Sequence, residues 1–163
     1  MPTEEQTSIT GQWSTISAGG SYGQKLTIPN RTITKVSFPL AKLLSPVGTL
    51  WFDIWRASDG VLIVQKLWGY CADVPPGMTW LEVTLTAPTT INEEVYMMAR
   101  ASDTGVGGLK VYYLNTDSKP GECKAVRTAG GVFTDRLDHE ACYIYTYEAD
   151  APSVTTDPAT EVT

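Results

Sequence analysis

The chain has 163 residues, 42% of them hydrophobic, with five Trp and eight Tyr, enough for one domain that needs no metal or disulfide staple to fold. Its formal charge is −6, yet Glu4, Glu5, Asp150, Asp157 and Glu161 lie in ends without a base, which leaves 12 bases against 13 acids in residues 13–148. A near-neutral body has no basic stripe to displace counterions from a phosphate backbone, which excludes nucleic acid as the expected partner. No apolar run reaches the ~18 residues that a membrane helix needs.

Residues 1–12 are polar and read as a flexible, acidic arm. QKLTI (24–28) is the first strand expected, closed by the turn signal Pro29-Asn30. TITKVSFPLAKL (32–43) alternates, with Val36, Phe38 and Leu40 on one face, and Pro39 implies an edge position or a bulge. TLWFDIWRA (49–57) puts Leu50, Phe52 and Ile54 on one face and Trp51, Asp53 and Trp55 on the other. Ser58-Asp59-Gly60 is a hairpin signal leading into VLIVQKLW (61–68). TWLEVTLT (79–86) turns Leu81, Val83 and Leu85 inward and Trp80, Glu82 and Thr84 outward, and EVYMMARA (94–101) follows a short loop. LKVYYLN (109–115), ECKAVRT (122–128), VFT (132–134) and EACYIYTYE (140–148) complete the series. Short strands at regular spacing, with no amphipathic helix, predict an all-β domain over residues 13–148, an antiparallel jelly-roll-type β-sandwich of eight or nine strands. Residues 149–163, rich in Thr, Pro and acid, read as a flexible tail.

The order GQKLTIPNRTITKVSFPLAKLLSPVGTLWFDIWRASDGVL, then VPPGMTWLEVTL, TTINEEVYMMARAS and the aromatic CYIYTYE, resembles a jelly-roll module of phage virion proteins and some prokaryotic surface proteins. The resemblance covers about residues 22–148. It implies a decoration, fibre or tail-appendage role with other virion proteins and further copies of the chain as partners, and a likeness to carbohydrate-binding jelly rolls. The opening MPTEEQTSITGQWS lacks the basic and apolar regions of an export signal, so a virion assembled in a host cytoplasm is the expected location, with a cell-surface or extracellular role as the alternative.

Catalytic patterns are thin. Gly19-Gly20-Ser21-Tyr22-Gly23 matches G-x-S-x-G, but a strand follows where a nucleophile elbow requires a helix. His139, the sole histidine, sits between Asp138 and Glu140, and neighbours on a strand point to opposite faces, so no relay is preassembled. Asp53 and Glu82, each beside Trp residues, are the nearest approach to a glycosidase carboxylate pair. Asp73, Asp103 and Asp117 sit at turns that suit calcium, but no D-x-D-x-D-G loop is present and a turn aspartate usually bonds its own backbone. No enzyme activity, cofactor or metal site is therefore expected. The expected binding surface is Trp51, Asp53, Trp55, Trp80 and Glu82, serving as core packing, as a subunit interface or as a platform on which sugar rings stack. Cys71, Cys123 and Cys142 form an odd set that fits three reduced thiols or one bridge with a thiol left over.

Overall fold

A computed structural model of the chain describes residues 1–9, 11–103, 105, 107–116 and 118–149. Its strands in chain order are β1 (Thr3–Gln6), β2 (Gln12–Ile16), β3 (Ser21–Leu43), β4 (Thr49–Arg56), β5 (Leu62–Tyr70), β6 (Thr79–Ala101), β7 (Gly108–Leu114), β8 (Cys123–Arg127), β9 (Phe133–Arg136), β10 (Glu140–Ala141) and β11 (Tyr143–Tyr147). The fold is all-β: these eleven strands pair antiparallel into one large sheet, against the eight or nine strands expected. Its main path runs β1-β11-β3-β6-β4-β5, with β7 and β8 also attached to β3, and β2, β9 and β10 beyond them. Cys71–Asp73 forms a single 3₁₀ turn.

Two 23-residue strands, β3 and β6, hold this arrangement together, and each merges two strands that the sequence pattern separates. Pro29-Asn30 does not end a strand. Between the pairs Ile28↔Glu93 and Arg31↔Ile91 it adds one residue to β3 as a bulge. Asn30 takes φ +43 there, and its N–H donates to Asn92 Oδ1 at 3.0 Å. A second shift, between Ile33↔Thr89 and Lys35↔Thr84, throws the Leu85–Pro88 stretch of β6 out of register. The two irregularities bend the paired strands without breaking them. The first halves of β3 and the last third of β6 then join β4, β5, β8 and β9, whereas the opposite halves join β11, β1 and β7. Pro39 is on a central strand rather than an edge. It falls where β11, last paired at Ser37, gives way to β7, first paired at Leu40, so its missing N–H costs no ladder bond on that side.

The bend brings the inward faces together. Phe38 of β3 meets Phe52 of β4 edge-on at 5.2 Å although β6 separates those strands within the sheet. Leu50, Phe52 and Ile54, Val36, Phe38 and Leu40, and Leu81, Val83 and Leu85 all enter this core, as their alternation predicts. Each such side chain contributes about 2 kcal/mol through removal from water.

The N-terminal segment departs from the arm expected for residues 1–12. Thr3–Gln6 pairs with β11 and Gln12–Ile16 with β7. The reason lies in charge and hydrogen bonding that only the fold assembles: Glu4 meets Lys119 at 2.8 Å and Arg31 at 3.2 Å. Buried Gln6 donates to Ser118 Oγ at 2.7 Å and to Glu140 at 2.5 Å. The tail expected from residue 149 lies outside the described residues except for Ala149. All three cysteines are buried free thiols, which settles the pairing left open by their number.

Candidate functional site

The outer face of β5, β4, β6, β3, β8 and β9 carries three transverse rows, fixed by strand register. The first is Leu67, Trp51, Arg100, Ser21, Arg127 and Phe133. The middle row is Gln65, Asp53, Met98, Gly23, Ala125 and Asp135, and the third is Leu62, Trp55, Tyr96, Lys25 and Cys123. On β3 and β8 the middle row is small, Gly23 and Ala125, while Arg100, Arg127, Tyr96 and Lys25 stand in the rows beside it. At Gly23 any Cβ would sit 1.8 Å from the Met97 carbonyl oxygen, so β3 and β6 approach this closely only with glycine there.

The flanking rows reach over the small centre. The Arg127 guanidinium lies 4.3 Å from the Trp55 ring centroid and 5.4 Å from that of Phe133. Phe133 stacks on Tyr96 at 4.2 Å with 9° between planes, making a second small core with Met98 and Ala125. Trp51 carries Arg100 over its ring at 5.5 Å, and its Nε1 donates to Thr49 Oγ1 at 2.9 Å. Beneath these, Asp53 is buried and accepts from Arg100 Nε at 2.6 Å. Lys25 bridges Asp135 at 2.9 Å and Glu94 at 3.4 Å. Its hydrogen bond with Asp135 holds the ammonium's pKa above the usual lysine value.

Four buried side-chain polar atoms lack a protein partner among the described residues: Ser21 Oγ, Asp53 Oδ1, Trp55 Nε1 and Arg127 Nε. All four belong to this face. Each such group costs roughly 1–3 kcal/mol relative to a satisfied one, so the face holds polar capacity that its own contacts do not use.

Of the residues expected to form a binding surface, Trp51, Asp53 and Trp55 are brought together here. Trp80 and Glu82 are not. They lie at the far end of β6, where Trp80 faces Pro39 across the ladder and exposed Glu82 bonds Lys35 Nζ at 2.8 Å. Arg100, Ser21 and Arg127 were absent from that expectation. Their only signal is cross-strand register, which no local pattern carries. An open depression of about 250 Å³ lies elsewhere, between Ile63–Lys66 of β5 and Leu85–Thr89 of β6.

Ser21 opens a strand, and no imidazole bonds its Oγ, while His139 Nδ1 bonds its neighbour Asp138 at 2.6 Å. Asp103 Oδ1 accepts from Gly105 N at 3.0 Å, a turn closing on itself. Asp73 is exposed, and Asp117 lies outside the described residues. Among the described residues no three His, Cys, Asp or Glu side chains converge as a metal site, and no helix is long and apolar enough to cross a membrane. No protein-family model matches the chain, and no curated protein matches it.

Proposed function

We propose that the chain is a non-enzymatic structural or accessory protein of a phage virion, a subunit of a capsid decoration, head fibre or tail appendage, built as a jelly-roll-type β-sandwich. It works by self-association and docking. The observation that carries this reading is the outer edge of β5. Nine residues long, it pairs among the described residues only with β4 and exposes Leu62, Leu67 and Tyr70, with Val61 just before it. Free edges are normally blunted by charge, proline or shortness. Of the other strands with one neighbour, β1 and β9 follow that rule, at four residues each with Glu4, Glu5, Asp135 and Arg136, and uncharged β2 is blunted only by its five-residue length. The β5 edge has Lys66 alone, tied to Thr86 Oγ1 at 2.6 Å. Such an edge offers its backbone and apolar side chains to a further copy or to a shell protein. Light scattering after size exclusion tests this. The expected result is a stable oligomer that Leu67→Lys dissociates, and a chain that stays monomeric and ignores purified virion shells overturns it.

A second reading, a module that binds cell-surface glycans or polysaccharide, is favoured by one observation: Trp51, Trp55, Asp53 and the four unpartnered polar atoms share a face. Aromatic rings beside polar groups suit sugar rings and their hydroxyls. A glycan array probed with the protein and with Trp51→Ala checks it; silence of the array removes it.

A further inference from the structure

The geometry points to an acidic saccharide, a chain of uronic-acid units, as the ligand of the Trp51–Trp55 face, with its carboxylate held by Arg127; this rests on the glycan-binding reading. The two arginines of the first row differ. Arg100 is neutralised by buried Asp53 at 2.6 Å. Arg127 has no ion-pair partner among the described residues. Its guanidinium touches aromatic faces, and its Nε is buried without an acceptor. The planar fork of a guanidinium matches a carboxylate with two parallel hydrogen bonds, a geometry the rings of Trp55 and Phe133 cannot supply.

A neutral sugar would meet an obstacle here. One face of Trp55 is covered by Arg127, and uncovering it would strip that cation of its present contacts and return nothing to it. A carboxylate removes the obstacle by drawing Arg127 off the ring. That movement opens the Trp55 face to the pyranose, on the same face of the sheet as Trp55 Nε1, Ser21 Oγ and Asp53 Oδ1. All three are buried and unpartnered, and two of them belong to side chains, Ser21 and Asp53, that are 0% and 1% exposed. Trp51 and Trp55 stand about 13 Å apart along β4, room for an oligosaccharide rather than a single unit. Within the three rows Arg127 is the one cation without an ion pair among the described residues, which suits one carboxylate better than the row of phosphates in a nucleic acid.

Calorimetric titration of the full chain with tetragalacturonate, and with its methyl ester as the same skeleton without charge, tests the inference. The acid is expected to bind at least ten-fold more tightly than the ester. Arg127→Gln should abolish that preference, Arg127→Lys should keep part of it, and Lys42→Gln, a distant loss of one charge, should leave it intact. Thermal melts of each variant identify any that fails to fold, and Arg127→Lys then carries the comparison. Equal affinity for acid and ester, or a preference untouched at Arg127, overturns the inference and leaves the glycan reading standing. Binding of neither overturns the inference, and a silent glycan array in addition removes the reading beneath it.

Discussion

Asp53 decides the local balance of the outer face. Its carboxylate is fully buried, and Arg100 beside it is only 18% exposed. Truncating one member of such a pair leaves the other charge desolvated without compensation. Asp53→Ala should therefore lower stability by about 3–5 kcal/mol in urea unfolding, and adding Arg100→Met should restore most of it. If the double variant is no better than the single one, the pair is not what holds Asp53 in place. Ser21 makes the opposite case. Its Oγ is buried and unpartnered, so Ser21→Ala removes a group that bonds nothing and should be neutral or stabilising by up to about 1 kcal/mol. The grouping of Trp51, Asp53 and Trp55 was legible because a strand repeats every two residues. Their partners Arg100 and Arg127 were not, since register places them across the sheet from residues 49 and 76 positions away in the chain.

At the scale of elements, most strands follow from alternation and turn residues, and the β4–β5 hairpin closes at Asp59-Gly60 where the sequence marks it, with Gly60 at φ +70. The long strands are where local reading stops. Pro29-Asn30 and Pro88 carry the same residue types as a turn, and only partners supplied by the other strand convert them into bulges. β1 is a similar case, a polar segment ordered by distant charges. The Glu4 carboxyl is held below its usual 4.5, first by its hydrogen bond to Lys119, with Arg31 adding to it against the opposing effect of burial. A carboxyl with a lowered folded pKa contributes stability above its unfolded pKa and loses it as pH falls through the folded value. Amide exchange protection in β1 should thus decline below about pH 4.5, and Glu4→Gln should show the same fraying at neutral pH. Unchanged protection in that variant would mean that Gln6 and its bonds to Ser118 and Glu140 fasten the strand alone.

For the molecule as a whole, the buried thiols set an upper pH limit. Burial pushes Cys142 from the usual 9.0 up to about 12, with Glu140 adding to it, and Cys71 up to about 11. Tyr145 is likewise raised to about 12 by burial, against the opposing pull of Arg31. The neutral Cys142 thiol has a use for its proton, donating to Ser8 O at 3.5 Å and so joining β10 and β11 to the N-terminal segment. Above pH 9.0 an unfolded Cys142 ionises while the folded one keeps its proton until about 12. The unfolded state then binds fewer protons, and stability falls as pH rises, by about 1.4 kcal/mol per pH unit for each group in its window. This contribution is complete below the unfolded pKa and gone above the folded one. Urea unfolding at steps between pH 8 and 11 should show that decline, and Cys142→Ala should make it shallower while costing some packing at every pH. The comparison isolates the thiol because the packing loss is independent of pH and only the slope reports ionisation. Parallel lines for the two proteins would place the alkaline limit on Cys71 and the tyrosines instead.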